Sequence, residues 1–106
     1  MFFVVNFSMN KLEHIGIAVA NLEASEALFT RLLGVSPYKR EEVESEKVIT
    51  SFFQVGDVKI ELLAATQESS TIAKFIEKKG EGLHHLAFEV DNLADALEEK
   101  ANGGFE

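Results

Sequence analysis

No cysteine and no tryptophan occur among the 106 residues, and proline occurs once, at Pro37. Without cysteine there are no disulfides, no thiolate nucleophile and no cysteine-based zinc site, a composition that fits a reducing compartment and an expected cytoplasmic location. Basic residues are also scarce: 10 Lys and Arg stand against 18 Asp and Glu, for a formal charge of −8. That excess of negative charge argues against nucleic acid or an anionic membrane surface as the main partner. No apolar run approaches the roughly 18 residues needed to span a bilayer. The first eight residues, Met1 to Ser8, are apolar but lack a basic flank and a small-residue cleavage site, so they do not read as a signal peptide. Met9-Asn10-Lys11 makes a natural start, and residues 1–10 are expected to be an N-terminal extension.

What the chain has is enough apolar material for one small core, with 35 residues of Leu, Ile, Val and Phe. Lys11–Val19 alternates as a strand, with His14, Gly16 and Ala18 on one face and Ile15, Ile17 and Val19 on the other. Asn21 can cap a helix whose apolar stripe is Leu22, Leu28, Phe29, Leu32 and Leu33, ended by Gly34. Ser36–Val43 is a weaker strand pattern, and the acidic Glu41–Glu46 run should be solvated. Lys47–Val55 and Val58–Ala64 read as strands joined by a Gly56-Asp57 turn. Thr71–Lys79 has the spacing of a short helix, Leu83–Val90 of a further strand, and Asn92 of a cap for a last helix bearing Leu93, Ala96, Leu97 and Ala101. The fold class is therefore α+β.

An internal repeat organises these elements. His14-Ile-Gly-Ile-Ala-Val-Ala-Asn-Leu22 aligns without gaps on His85-Leu-Ala-Phe-Glu-Val-Asp-Asn-Leu93, at an offset of 71 residues. Two amphipathic units could share apolar positions by chance, but the coincidence of His, Val, Asn and Leu points to a duplicated unit. Module one is read as residues 11–65, a linker helix as 66–82, and a partial module two as 83–106.

A lone histidine on a strand is usually a buried residue hydrogen-bonded to backbone. Two histidines at equivalent places in a repeat, each beside small neighbours, instead suggest ligands converging on one centre, since imidazole is the commonest metal ligand. Glu61, on the face of its strand opposite to Ile60 and Leu62, is a carboxylate among apolar neighbours, costly to bury unpaired. On an isolated strand it would be a solvated sheet-face residue; beside two candidate histidines it becomes a third ligand. His14, Glu61 and His85 are thus the candidate metal residues. Repeat symmetry puts the counterpart of Glu61 at about position 132, beyond Glu106. His84 should point to the face opposite His85. No phosphate-binding glycine loop, nucleophile elbow or HExxH is present.

His14-Ile-Gly-Ile-Ala-Val, Val58-Lys-Ile-Glu-Leu-Leu and Ser70-Thr-Ile-Ala-Lys-Phe-Ile followed by Gly82-Leu-His-His-Leu resemble the methylmalonyl-CoA epimerases of the vicinal-oxygen-chelate, or glyoxalase-like, superfamily. The resemblance runs from about Lys11 to the end, and the Ser70–Ile76 segment ahead of Gly82-Leu-His-His is its most specific part. It implies two βαβββ modules forming a cupped mixed sheet, the second incomplete here. His14, Glu61 and His85 would then ligate a divalent ion such as Co2+ or a similar first-row metal, with a fourth ligand, a Glu, on a last strand absent from this sequence. The implied reaction interconverts the 2R and 2S epimers of methylmalonyl-CoA, in propionate metabolism, through an enolate. The implied partners are an acyl-CoA thioester and a second copy in a homodimer. The missing Glu is also an acid/base residue in the family, so this sequence as it stands should epimerise poorly. Some members carry another Glu on the third strand, where this chain has Thr50; Glu44 and Glu46 lie near, in a loop. The catalytic acid and base are unassigned, and no motif locates the CoA portion. A glyoxalase I-type lactoylglutathione lyase would share fold, metal and chemistry. A non-catalytic small-molecule-binding member would not need the His-His-Glu set.

Overall fold

The computed structural model describes residues 9–90. Residues 1–8 and the helix expected after Asn92 lie outside that span. The element order is β1 (Met9–Ala18), α1 (Leu22–Leu33), β2 (Lys39–Val43), a 3₁₀ turn (Glu44–Glu46), β3 (Val48–Val55), β4 (Val58–Ala65), α2 (Thr71–Lys79) and β5 (Gly82–Val90). All five strands form one mixed sheet in the order β2-β3-β4-β1-β5. β1 runs parallel to β4 and antiparallel to β5, while β2, β3 and β4 form an antiparallel meander. A parallel β1–β4 pair needs a long connection, and α1 with the meander provides it. Among the described residues no helix is long and apolar enough to cross a membrane.

Alternation along the strands gives the sheet two unlike faces. One bears Ile17, Ile49, Phe53, Ile60, Leu62 and Ala64, packed beneath α1 through Leu22, Phe29 and Leu33. Asn21 caps α1 by accepting a hydrogen bond from the Ala24 amide, and Gly34 in the left-handed region ends it. The expected α1 stripe is corrected at two positions: Leu28 and Leu32 are 51% and 70% exposed. At 100° per residue they lie about a quarter to a third of a turn away from the Leu22–Phe29–Leu33 line. The second strand is also shorter than its pattern, beginning at Lys39 and not Ser36.

The other face is open at its centre and covered at one end by α2. There Ile72, Phe75 and Ile76 pack on Ala18, Val48, Leu63 and Ala65. Ser70 caps α2 by accepting from the Ile72 amide, and is itself buried. His14, Gly16, Lys59, Glu61 and His85 lie on the middle of this face, which α2 does not cover.

Three irregularities interrupt the β1–β5 pairing. Ile15 pairs with Leu86 and Gly16 with His85, but Ile17 pairs with Leu83, which makes His84 an extra residue on β5. Leu12 pairs with Phe88 and His14 with Ala87, which makes Glu13 an extra residue on β1. A bulge breaks strict alternation and re-aims a side chain. His84 is accordingly not on the opposite face: its ring meets Phe75 of α2 edge-on, centroids 4.9 Å apart, and its Nδ1 lies 2.9 Å from Nδ1 of His85.

Candidate metal centre

His14 on β1, Glu61 on β4 and His85 on β5 come from three adjacent strands and meet at one point. Their nearest donor atoms all lie within 4.8 Å of one another. His14 Nε2 is 3.0 Å from His85 Nε2 and 3.4 Å from Glu61 Oε1, and His85 Nε2 is 3.5 Å from the same oxygen. The register explains the convergence: β1–β4 pairing sets Gly16 beside Glu61, and β1–β5 pairing sets Gly16 beside His85. Glycine at the hub leaves the space into which the imidazole folds. The two rings stand nearly perpendicular, 87° apart.

The spacing fits a first-row divalent ion. Metal–ligand bonds of about 2.0–2.2 Å meeting at about 90–110° put neighbouring ligand atoms roughly 2.8–3.6 Å apart. All three observed separations fall in that interval. The orientation of the His14 ring is compatible as well. The Glu13 carboxylate hydrogen-bonds His14 Nδ1. A carboxylate only accepts, so Nδ1 donates this bond, and Nε2 is the ring nitrogen turned toward Glu61 and His85. Two nitrogens and a carboxylate oxygen of this softness suit Zn2+, Co2+ and their neighbours better than Ca2+ or Mg2+.

One residue at the site, Glu13, has no role in the sequence analysis, and a second, His84, is expected there on the wrong face. Glu13 reaches the site face because of the β1 bulge, and its second oxygen accepts a 2.6 Å hydrogen bond from Lys59 Nζ. That bond from Lys59, and next the one to His14, hold the Glu13 carboxyl below its ordinary range. His84 abuts His85, and burial followed by the neighbouring His85 lowers its own tendency to protonate. Adjacent residues alternate in a regular strand, so only the bulges, which depend on β5, could have revealed either. Thr50 lies on the site face of β3, buried, with its hydroxyl donating to the Glu41 carbonyl at 3.2 Å. Glu44 and Glu46 sit in the exposed 3₁₀ turn.

Comparison with known proteins agrees with this architecture. Residues 13–106 match the model of the Glyoxalase/Bleomycin resistance protein/Dioxygenase superfamily. An uncharacterised Bacillus subtilis protein is 42% identical over 90 residues, covering 85% of this chain and 64% of its own length. Human mitochondrial methylmalonyl-CoA epimerase is 34% identical over 92 residues, covering 86% of this chain and 52% of its own. This chain thus spans between about half and two thirds of the length of these relatives. A Streptomyces coelicolor methylmalonyl-CoA epimerase variant, solved with 2-nitronate-propionyl-CoA, superposes with a TM-score of 0.81 at 30% identity, covering 91% of this chain and 72% of that one. With the sheet order, the His-Glu-His convergence and these matches, the chain belongs to the Glyoxalase/Bleomycin resistance protein/Dioxygenase superfamily.

Proposed function

We propose that this chain carries the site of a metal-dependent epimerase that interconverts the 2R and 2S epimers of methylmalonyl-CoA through an enolate. The observation that carries the reading is the convergence of His14 Nε2, Glu61 Oε1 and His85 Nε2 on one point, at separations suited to a divalent ion. The similarity to the human enzyme and to the acyl-CoA complex supplies the substrate class.

His14, Glu61 and His85 would hold the ion. A bound divalent ion supplies Lewis-acid stabilisation of the negative charge that develops on a thioester oxygen as the C2 proton leaves. The residues of the chain prepare that environment. Glu13 orients the His14 ring, Gly16 makes room for the His85 ring, and α2 closes one end of the cup with apolar side chains. An apolar wall excludes water and strengthens electrostatic interactions within the cup. Such a site also offsets the repulsion that an anionic substrate meets from a chain with a net charge of −8. Proton transfer requires a base on one face of C2 and an acid on the other. By the family pattern one of these is a Glu at about position 132, outside this sequence.

The test is exchange of the C2 proton of methylmalonyl-CoA in deuterated water with Co2+ supplied, for this chain and for a chain extended through the module-two strands. Exchange by the extended chain that disappears in His14→Ala supports the reading. Turnover of the methylglyoxal–glutathione hemithioacetal, with no exchange of methylmalonyl-CoA, would replace it with the glyoxalase I reading.

A further inference from the structure

We propose that Phe52 is the wall against which the C2 substituent of the acyl group rests, and that it sets which substituents the site accepts. The inference rests on the acyl-CoA reading above and concerns a residue that the reading does not use.

One row of cross-strand partners runs across all five strands. Lys39 pairs with Phe52, Phe52 with Glu61, Glu61 with Gly16, and Gly16 with His85. Residues paired in this way point to the same face of a sheet, so Phe52 shares a face with Glu61. Its neighbours in the chain point the other way. Ser51 Oγ reaches Glu26 of α1, and Phe53 is fully buried beneath that helix. Phe52 is thus the next residue in the row beyond Glu61, on the side away from both histidines.

Glu61 has four neighbours on this face: Phe52 and Gly16 across the strands, Lys59 and Leu63 along its own. The space over Gly16 holds the His85 ring. Lys59 is a cation held by the Glu13 carboxylate, and Leu63 is 8% exposed under α2. Phe52 remains, an aromatic ring that is half-buried and lies under no helix. The ring is held from its far side. The Tyr38 ring stands 6.1 Å away at 38°, Lys39 Nζ lies 4.9 Å from the Phe52 centroid, and the Tyr38 amide donates to the Phe52 carbonyl at 2.9 Å.

A 2-substituted malonyl thioester carries three groups on C2 besides hydrogen. The carboxylate and the thioester carbonyl have oxygens for a cation, whereas the alkyl substituent has none and gains by leaving water. An apolar ring beside the carboxylate ligand suits that third group. Because the ring is braced, a longer substituent has to displace it or stay in water. A single methylene in an apolar pocket already changes discrimination by about tenfold or more.

Titration calorimetry on the Co2+-loaded chain, with methylmalonyl-CoA and its C2-butyl homologue as probes, tests the idea. The wild-type chain should prefer the methyl compound by about tenfold or more, and Phe52→Ala should abolish or reverse that preference. Phe52→Leu keeps a larger apolar side chain, should fold if the alanine variant does not, and should give an intermediate ratio. Co2+ affinity should be the same in all three proteins. A role confined to holding the sheet would lower stability and scale both affinities together, leaving their ratio unchanged. That unchanged ratio, equal wild-type affinity for the two probes, or a tenfold loss of Co2+ affinity in Phe52→Leu overturns the proposal alone. Binding of neither thioester by the Co2+-loaded wild-type chain overturns the acyl-CoA reading and this inference with it.

Discussion

The imidazole of His85 lies over Gly16, its cross-strand partner on β1, in the space that any side chain at that position would need. The same pairing sets His14 opposite Ala87, and the repeat maps His14 onto His85 and Gly16 onto Ala87. Each histidine therefore faces a small residue across the β1–β5 junction, as a two-fold relation between the strands requires. A Cβ built on Gly16 would stand 2.5 Å from Nδ1 and 2.6 Å from Nε2 of the His85 ring. Gly16→Ala should expel the ring while keeping the strand, because alanine suits β backbone at a position whose φ is not in the left-handed region. The expected loss in divalent-ion affinity is about tenfold or more, the scale of disturbing one ligand's support. Titration with Co2+ beside a far-UV spectrum checks it; unchanged affinity would mean that His85 binds from another rotamer or does not bind.

A second prediction concerns α1, where a charged residue interrupts the buried stripe. The Glu26 carboxylate accepts from Ser51 Oγ at 2.6 Å, from Arg40 Nε at 3.0 Å and from the Arg40 terminal nitrogen at 2.5 Å. The hydrogen bond from Arg40, aided by that of Ser51 and opposed by burial, lowers the Glu26 pKa. A depressed carboxylate pKa contributes stability that is fully present above the unfolded value, near 4.5, and is lost as pH falls through the lower folded value. Glu26→Gln keeps an acceptor for the fully buried Ser51 and removes the charge. It should cost about 1 kcal/mol at neutral pH, the difference between charged and neutral hydrogen bonds. Urea unfolding should show that gap narrowing below about pH 4.5. A gap independent of pH would assign the loss to packing.

The third prediction separates two leucines of the same helix. Leu22 is 4% exposed and Leu32 is 70% exposed. Leu22→Ala should cost about 2–5 kcal/mol, the range for emptying a core position. Leu32→Gln should stay within about 0.5 kcal/mol, as surface changes usually do. Comparable losses in denaturant midpoints would show that the outer face of α1 is covered in solution.

These leucines also show where the sequence pattern stops informing. Period-two alternation located β1, β3, β4 and β5 to within two residues, most firmly in β1, β3 and β4, which carry core residues, and it put His14 and Glu61 on the correct face. The cap at Asn21 and the stop at Gly34 bounded α1, and apolar spacing located α2, whose cap at Ser70 the structure supplies. Helical periodicity, however, admits any apolar residue within a broad arc, and Leu28 and Leu32 fall at its edge. The roles of Glu13 and His84 were hidden for a different reason. Both are bulge residues, and a bulge is a property of two paired strands separated by some seventy positions, not of either strand's own pattern.

The last prediction sets the fold against the site at Glu61, whose side chain is 14% exposed and lies on a sheet face between Lys59 and Leu63. In the ion-free protein this carboxylate is mostly withdrawn from water, with two histidine rings as its nearest polar neighbours. Desolvating a charge with incomplete pairing is unfavourable, and apolar replacements of such groups are often neutral or stabilising. Glu61→Leu should therefore raise the unfolding midpoint of the ion-free protein, or at least leave it unchanged. With Co2+ the order should reverse. Ligand linkage adds about 2.7 kcal/mol to the wild-type chain at one hundred times the dissociation constant, worth on the order of 10–20 °C in a domain of this size. The variant lacks a donor and should gain little from the ion. Glu61→Gln retains an oxygen donor without the charge and should fall between the two in Co2+ response. Thermal unfolding of the three proteins with EDTA and with Co2+ supplies the crossed comparison. A residue that is only a solvated sheet-face carboxylate would give parallel curves in both conditions, and that outcome would remove Glu61 from the ion's ligands.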